Sequence, residues 1–201
     1  SLNQMRLVYN NNIYLNDKDL VKINKTKKLC FSNKKAIFEN GLKLTIDLSD
    51  DKTICAYRSK INAPLVYFSK IKYHKYKKYW EPIKPKNKSL IIKKNNFYIL
   101  KSKEKICIPP NLAGEMIPYD TGIGDFRVHY AGFFDPGFGY SMGSFAVLEL
   151  KTHEVDFIIE DGQTIARIQY EKLNKSSSML YGKKINSNYQ NQELALSKHF
   201  Y

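Results

Sequence analysis

The sequence predicts an all-β protein, a barrel or a sandwich of short antiparallel strands. Short apolar or alternating runs recur at intervals of about eight to twelve residues, with turn residues between them. One or two short helices interrupt this pattern. An apolar fraction of 43% and an aromatic fraction of 13% are typical of a folded chain. At 201 residues the chain is long enough for one substantial domain.

The predicted elements follow one another closely along the chain. Asn16 is suited to cap a short helix or 3₁₀ turn, and residues 42–48 alternate with period two. A second short helix is predicted at 109–116, because proline is favoured in a first helical turn. Asn95-Asn96 and Asp161-Gly162 predict hairpin turns. The other predicted strands are 53–58, 63–68, 89–92, 97–100, 105–108, 127–130, 145–150, 155–159 and 164–170.

The most distinctive stretch covers residues 127–150. Two strand-like runs enclose a glycine- and aromatic-rich segment centred on Asp135-Pro136-Gly137. Proline fixes φ at the second position of a turn and glycine tolerates a positive φ at the third, so a tight turn is predicted here. The second run contains one carboxylate, Glu149, among apolar neighbours. We therefore expect the turn to present Asp135 at the mouth of a site that Glu149 lines.

These residues resemble a known family signature. Gly-Phe-Phe-Asp-Pro-Gly-Phe-Gly at 132–139, followed by Ala-Val-Leu-Glu at 146–149, is similar to the signature of the dCTP deaminases, which belong to the trimeric dUTPase superfamily. Tyr181 and the segment 188–192, Asn-Tyr-Gln-Asn-Gln, resemble the C-terminal lid of that family at the same spacing. The amino-acid sequence of the first segment most resembles that of bacterial dCTP deaminases in which one chain carries two repeats of the fold.

The resemblance implies a dUTPase-like distorted β-barrel that converts dCTP and water to dUTP and ammonia. Glu149 would be the catalytic residue, which shuttles a proton between water, N3 and the leaving amine without zinc. Asp135 would receive the deoxyribose 3′-hydroxyl. The other implied substrate-binding residues are Ala131, Gly132, Phe133, Val147, Leu148, Tyr181, Tyr189 and Gln192. Mg²⁺ would accompany the triphosphate.

Two departures from the family pattern concern the phosphates. The Ser-Ser-x-x-Arg segment that grips the triphosphate should fall near residues 119–122, which read Tyr-Asp-Thr-Gly, and Asn188 replaces a lysine expected in the lid. Arg127 and Arg167 are candidate phosphate ligands in their place. In a two-repeat protein the first repeat could instead supply the missing residues. The implied assembly is a homo-oligomer, either a trimer or a pseudo-trimeric arrangement of repeats.

The division of the chain follows from the same comparison. Residues 13–173 are predicted to form the barrel, and residues 174–201, which begin with a flexible serine-rich run, the lid or tail. Residues 1–12 resemble the last strand of a repeat that would precede this one, with an ordinary N-terminal strand as the alternative. The activity alternatives are dUTP hydrolysis on the same scaffold, and an inactive structural repeat.

Charge suggests a further class of partner. The chain has 33 Lys plus Arg against 19 Asp plus Glu, a net charge of +14, and residues 70–88 interleave lysines with Tyr73, Tyr76, Tyr79 and Trp80. Basic and aromatic residues together bind single-stranded nucleic acid. The favoured interpretation is instead a loop whose aromatics pack on the barrel while its lysines face water, because no nucleic-acid motif accompanies it.

Cysteine and hydropathy patterns bound the remaining possibilities. Cys30, Cys55 and Cys107 are odd in number and widely spaced, which favours free thiols and a reducing cytoplasm over a disulfide framework. No apolar run reaches the roughly 20 residues that a membrane span needs, so no membrane partner is predicted. His153-Glu154 has no Cys-x-x-Cys partner, which argues against the zinc deaminases.

Overall fold

The computed structural model describes residues 14–31, 35–118, 126–129, 132–152, 154–182, 190 and 193–201, with only the backbone at 126–129. Within these ranges there are one α-helix and eleven strands. They are α1 (Asp17–Thr26), β1 (Leu42–Thr45), β2 (Ala56–Ser59), β3 (Trp80–Ile83), β4 (Ser89–Ile92), β5 (Phe97–Ile106), β6 (Leu112–Pro118), β7 (Phe126–His129), β8 (Phe133–Phe134), β9 (Ser144–Thr152), β10 (Phe157–Glu160) and β11 (Thr164–Lys172).

The strands form three antiparallel sheets, which confirms the predicted all-β class. One sheet has the order β1-β11-β6-β8, a second has the order β3-β2-β5-β9-β7, and β10 pairs with β4. A single buried cluster joins the two larger sheets: it includes Leu44 and Ile168 from the first, and Leu100 and Leu148 from the second, all 0% exposed. The core therefore lies between the sheets, and their outer faces are left for function.

The helix α1 begins where the sequence predicts. The Asn16 side chain accepts a hydrogen bond from the Asp19 N–H at 3.0 Å, and Asp17 and Asp19 lie in the first turn, where carboxylates interact favourably with the helix dipole. Leu20 is the buried residue of the helix. The helix is too short and too polar to cross a membrane, and the described residues contain no helix that could.

The centre of the five-stranded sheet is the pair β5 and β9. The sequence predicted two strands, 97–100 and 105–108, but β5 is one strand whose register with β9 shifts between Lys101 and Lys105. Ser102 stabilises this bulge: its buried hydroxyl donates to the Glu104 carbonyl at 2.7 Å and accepts from the Ala146 N–H at 3.0 Å. The bulge lets the strand continue to Ile106 without leaving these buried polar groups unpaired.

The helix predicted at 109–116 was wrong, because β6 occupies most of that range. Leu112, Gly114 and Met116 point into the core in alternation, and β6 pairs with β11 from Leu112↔Lys172 to Pro118↔Ala166. Pro109 belongs to the turn before the strand, where its carbonyl accepts from the Leu112 N–H at 3.0 Å. Pairing with a distant strand therefore overrides the local helix signal.

Both predicted hairpins were wrong in their pairing, although the turns are present. Asn95 has a left-handed φ of 60°, yet β4 before it pairs with β10 while β5 after it pairs with β2 and β9. The turn at Asp161-Gly162 likewise joins β10 to β11, which lie in different sheets. Each turn carries the chain from one sheet to another.

The segment between β2 and β4 also differs from prediction. No strand is described at 63–68, and at 53–58 only the second half is a strand, which continues to Ser59 as β2. Residues 70–88, predicted as a loop, contain a 3₁₀ turn (Tyr76–Lys78) and β3. Pro82 is tolerated in β3 because that strand is at the edge of its sheet. Tyr79 is 7% exposed, as expected for an aromatic that packs inward.

The remaining predictions agree with the described structure or fall outside it. Strand 42–48 is observed as β1 with a further bridge at Ile46, and 145–150 lies within β9. The three cysteines are buried, and none of them forms a disulfide bond. The assignment of residues 1–12 as a last or N-terminal strand lies outside the described residues. The described part of the tail is docked: the Ser177 N–H, for example, donates to the Pro110 carbonyl at 2.9 Å.

Candidate functional site

The predicted turn at Asp135 is present and is built as a type II turn. The Phe138 N–H donates to the Asp135 carbonyl at 3.1 Å, with Pro136 second and Gly137 third at a φ of +100°. Two backbone bonds hold the turn against Ile108, the second residue after β5: the Gly137 N–H donates to the Ile108 carbonyl at 2.9 Å, and the Ile108 N–H donates to the Phe138 carbonyl at 2.8 Å. These bonds hold the backbone of the turn in place, and the Asp135 side chain is exposed.

The glycine after this turn is required by a close backbone approach. Gly139 has a φ of +62°, and a Cβ atom there would lie 2.1 Å from the Ile106 carbonyl oxygen. A side chain at this position would displace the turn from β5. The last glycine of the Asp-Pro-Gly-Phe-Gly sequence thus allows the turn to pack closely against β5.

Glu149 lies in the middle of β9, half-buried on the face of the five-stranded sheet that points away from the core. Residues 144, 146, 148, 150 and 152 face the core, and those between them face outward. Glu149 is registered with Ile99 on β5 and His129 on β7. Ile99 is 7% exposed, so the carboxylate lies beside a buried apolar side chain.

Val147 and Leu148 do not share a face of β9. Val147 is half-buried on the same face as Glu149, whereas Leu148 is 0% exposed and packs in the core. The alternation of a strand makes this unavoidable for consecutive residues. Among the predicted base-pocket residues of β9, only Val147 therefore presents its side chain beside Glu149.

The stretch predicted to read the base follows β7, the strand opposite Glu149, closely along the chain. His129 lies opposite Glu149 in the register of β7 and β9. Gly132 follows three residues later, so the Cα atoms of His129 and Gly132 are no more than about 11 Å apart. Gly132 accepts from the Met116 N–H at 2.6 Å, and a Cβ there would lie 2.8 Å from the Met116 carbonyl. Phe133 follows in β8 with its side chain 60% exposed. Asp135 comes directly after β8, which is an edge strand of the four-stranded sheet.

Two residues of the C-terminal segment, defined here as residues 174–201, hold the Asp135 turn. The Tyr181 N–H donates to the Pro136 carbonyl at 2.9 Å, and its ring packs on Phe138 at 5.7 Å. The Gln190 side chain accepts from the Gly139 N–H at 3.2 Å and donates to the Gly137 carbonyl at 3.3 Å. Tyr181 was predicted as a site residue. Gln190 was missed, although it lies within the recognised Asn-Tyr-Gln-Asn-Gln segment.

Lys101 and Glu193 were also missed. Lys101 on β5 is registered with Val147, so it shares the outer sheet face with Glu149, and its Nζ lies 3.2 Å from a Glu193 carboxylate oxygen. The same ammonium stacks over Phe145 at 4.5 Å. No signal in the sequence pairs residues 101 and 193, because only the path of the C-terminal segment brings them together.

The other predicted residues are apart from this group or outside the description. Arg167 is half-buried in β11, registered with Lys43 and Ile117 in the four-stranded sheet, whereas Glu149 lies in the five-stranded sheet. Arg127 is placed in β7 opposite Lys151, and only its backbone is described. Ala131, Tyr189 and Gln192 lie outside the described residues, as does the segment 119–122.

The described residues contain no group of three His, Cys, Asp or Glu side chains that could hold a metal ion. The potential chemistry of this region rests on Glu149, on the carboxylate of Asp135 and on backbone groups of the chain around Gly132. A carboxylate can exchange protons, and backbone groups can hydrogen bond to the edge of a heterocyclic base. Fold and site together define an all-β protein of the dUTPase-like class.

Comparison with known proteins narrows this class. Residues 16–200 match the family described as "2'-deoxycytidine 5'-triphosphate deaminase, C-terminal domain". The chain therefore belongs to this family. The crystal structure of 2'-deoxycytidine 5'-triphosphate deaminase from Agrobacterium tumefaciens is similar to it, with a TM-score of 0.73 and 39% sequence identity over 83% of this chain and 50% of that one. The chain thus spans about half the length of that relative. No match is found among curated proteins.

Proposed function

We propose that this chain deaminates dCTP to dUTP, or forms the half of an active site that does so, in pyrimidine deoxynucleotide metabolism. The observation that carries the proposal is the half-buried Glu149, which is registered with His129 at the end of β7, shortly before the Gly132–Asp135 stretch, in a chain that matches the deaminase family over residues 16–200. The magnesium salt of dCTP would be the substrate, and no resident metal is required.

The reaction needs one proton carrier at the base. Water adds its oxygen to C4 of cytosine, and Glu149 takes one water proton and delivers it to N3. Glu149 then takes the second proton from the new C4 hydroxyl and delivers it to the amine. The C4–N4 bond then breaks, ammonia leaves, and the uracil carbonyl forms. A carboxylate that alternates between accepting and donating supplies each of these transfers. Val147 and Ile99, which flank Glu149 on the same sheet face, would shield the base from bulk water.

Orientation of the nucleotide falls to the Asp135 turn and its neighbours. We propose that Asp135 accepts a hydrogen bond from the deoxyribose 3′-hydroxyl, and that backbone groups near Gly132 contact the cytosine edge. The exposure of Asp135 on a turn fixed by Ile108 supports this role. The triphosphate ligands are proposed to come from Arg127, from Arg167 or from another repeat, because the expected Ser-Ser-x-x-Arg does not occur at 119–122.

We propose an oligomer whose pockets are completed between barrels, a trimer or a pseudo-trimer of repeats. The 60% exposed ring of Phe133, beside the proposed base site, supports coverage by substrate or by a neighbouring barrel. A reducing compartment, the cytoplasm, is proposed because the three buried cysteines form no disulfide bond.

The test is to incubate the chain with Mg-dCTP, separate the nucleotides by anion exchange and measure ammonia, with Glu149→Gln as the comparison. Formation of dUTP that the variant abolishes would support deamination by this chain. Formation of dUMP and pyrophosphate instead would indicate dUTP-hydrolase chemistry. Turnover only after an upstream repeat is added would support the half-site form. No turnover in either preparation would contradict an enzymatic role.

A further inference from the structure

The segment before β3 and the end of the sequence are joined by backbone hydrogen bonds. Five such bonds, of 2.9 to 3.1 Å, link residues 72–76 with residues 198–201. They are Lys72 N–H to Lys198 O, Tyr73 N–H to His199 O, His74 N–H to His199 O, Tyr76 N–H to Tyr201 O, and Tyr201 N–H to His74 O. We call residues 67–79 and 198–201 together the clasp.

Aromatic packing fills the interior of the clasp. The ring of Phe200 lies 5.2 Å from Tyr79, 6.0 Å from Trp80 and 6.1 Å from His74. Tyr79 is 7% exposed and His74 4% exposed, so these contacts are largely removed from water. Trp80 begins β3, which is at one edge of the five-stranded sheet. The clasp therefore attaches residues 198–201 to the sheet that carries Glu149.

His74 is the polar centre of the clasp. Its Nε2 accepts from the Tyr67 N–H at 3.0 Å, which places the ring proton of the neutral imidazole on Nδ1. Nδ1 then donates to the Tyr79 hydroxyl at 2.8 Å, and that hydroxyl donates to the Leu65 carbonyl at 3.2 Å. This chain of bonds satisfies each buried polar group in turn. It fixes the loop around residues 65–67 against Tyr79 and so shapes the surface on which Phe200 packs.

The C-terminal segment is attached to the site at successive points before it reaches the clasp. Gln190 holds the Gly137–Gly139 turn, and Glu193 pairs with Lys101 on the Glu149 face of the sheet. In sheet order, Lys101 belongs to β5 and the clasp borders β3, with β2 between them. From residue 193 to residue 201 the segment therefore runs outward across the sheet, from the site to the edge.

We infer that the clasp anchors the far end of the C-terminal segment, and that His74 is a positioning residue for the site that Gln190 and Glu193 contact. A segment held at both ends loses less conformational entropy when it docks than one with a free end. The aromatic residues of the lysine-rich stretch 70–78 therefore have a structural role in the clasp. The part of the inference that concerns nucleotide affinity rests on the proposed function.

The first experiment compares Phe200→Ala with Lys198→Ala by hydrogen exchange. Phe200→Ala removes the ring that the clasp encloses, whereas Lys198 is exposed and offers only its backbone carbonyl to the clasp. We expect faster exchange of the Tyr73, His74 and Tyr76 amides in Phe200→Ala, together with faster exchange of the Gly139 amide that Gln190 binds. Lys198→Ala should leave both unchanged. Loss of clasp protection with an unchanged Gly139 amide would overturn the inference.

A second variant tests His74 without altering Phe200. His74→Phe keeps an aromatic ring but removes the acceptor for the Tyr67 N–H. The chain contains one tryptophan, Trp80, and its emission should shift to longer wavelength if Phe200 leaves it. Emission and Gly139 exchange both like those of the unaltered chain would overturn the role of His74.

Kinetics separate this inference from the proposed function. In an active preparation, Phe200→Ala and His74→Phe should raise KM for Mg-dCTP by roughly three- to tenfold and leave kcat within about twofold, because the lost order is restored on binding. A fall in kcat with unchanged KM would contradict the positioning role. If neither the unaltered chain nor the chain with an upstream repeat turns over dCTP, the proposed function fails, while the exchange results still decide whether the clasp anchors Gln190.

Discussion

Lys101 and Glu193 form an ion pair at 3.2 Å between the middle strand of the five-stranded sheet and the C-terminal segment. Lys101 is 20% exposed and also lies 3.8 Å from Asp47. Because Lys101 shares a sheet face with Glu149 through its register with Val147, the pair locates the C-terminal segment beside the proposed base site.

This pair should affect nucleotide affinity more than protein stability. Glu193 is 68% exposed, and an ion pair with one exposed partner contributes at most about 1 kcal/mol. We expect Glu193→Gln to raise KM for dCTP by roughly two- to threefold and to leave the urea midpoint unchanged. Lys101→Met should lower stability further, because it also removes the interaction of the Lys101 ammonium with the Asp47 carboxylate. A double-mutant cycle whose coupling energy exceeds about 2 kcal/mol would contradict this ranking.

Glu149→Gln should abolish deamination without unfolding the protein. Glutamine keeps the shape and the hydrogen-bonding oxygen of the side chain but cannot carry the proton, so we expect kcat to fall by roughly a hundredfold to ten-thousandfold. Calorimetric titration with dCTP should still show binding. Glu160→Gln, an exposed change on β10, is the control. A variant that retained full ammonia release would exclude Glu149 as the proton carrier.

The two glycines Gly139 and Gly162 allow a matched test of close packing. Both have positive φ, but a Cβ at Gly139 would meet the Ile106 carbonyl at 2.1 Å, whereas at Gly162 nothing lies within 4 Å. Gly162→Ala should therefore cost only the backbone strain, about 1 to 2 kcal/mol. Gly139→Ala should cost at least about 2 kcal/mol more, measured by urea unfolding. Equal losses would show that the turn can move away from β5 freely.

Asp161 should make stability depend on acid pH. Burial by itself would raise the pKa of Asp161, but the Lys103 ammonium and the Leu48 N–H together lower the pKa below its usual value. A carboxyl with a lowered folded pKa stabilises the fold above its unfolded pKa of about 3.9, and this contribution is lost as pH falls through the folded pKa. Asp161→Asn should thus lose about 1 to 3 kcal/mol near neutral pH and progressively less in acid.

The control for that prediction is Asp156. Hydrogen bonds from Lys93 and from the Lys94 N–H lower the pKa of Asp156, but this carboxylate is on the surface. Asp156→Asn should therefore cost less than Asp161→Asn. The measurement is the free energy of unfolding of Asp161→Asn and of the unaltered chain from pH 7 to pH 3. A difference between the two that did not change with pH would contradict the role of Asp161.

The three thiols should be unreactive in the folded protein. Burial raises the pKa of Cys55 and of Cys107 to about 11, and Cys30 is also buried. Since the thiolate is the reacting form, a disulfide reagent at pH 8 should label all three slowly until denaturant is added. Rapid labelling of one equivalent in the native protein would show that a thiol opens to solvent.

The sequence by itself determined the features that depend on neighbouring residues. Period-two alternation located β1, the Asn16 side chain located the start of α1, and the Asp135-Pro136-Gly137 turn was correct because φ preferences act within a few residues. The family resemblance was also contained in sequence, and the match over residues 16–200 confirms it. The roles of Glu149 and Asp135 remain predictions for the experiments above.

Only the tertiary structure decided which strands pair and where the C-terminal segment runs. The Asn95 turn joins two sheets, and β6 is a strand because β11, about 50 residues later, supplies its hydrogen bonds. Gln190 and Lys101 become site neighbours, and Phe200 reaches His74, through contacts between residues about 50 to 130 positions apart. Such contacts depend on the burial of distant apolar faces against one another, which no local pattern specifies.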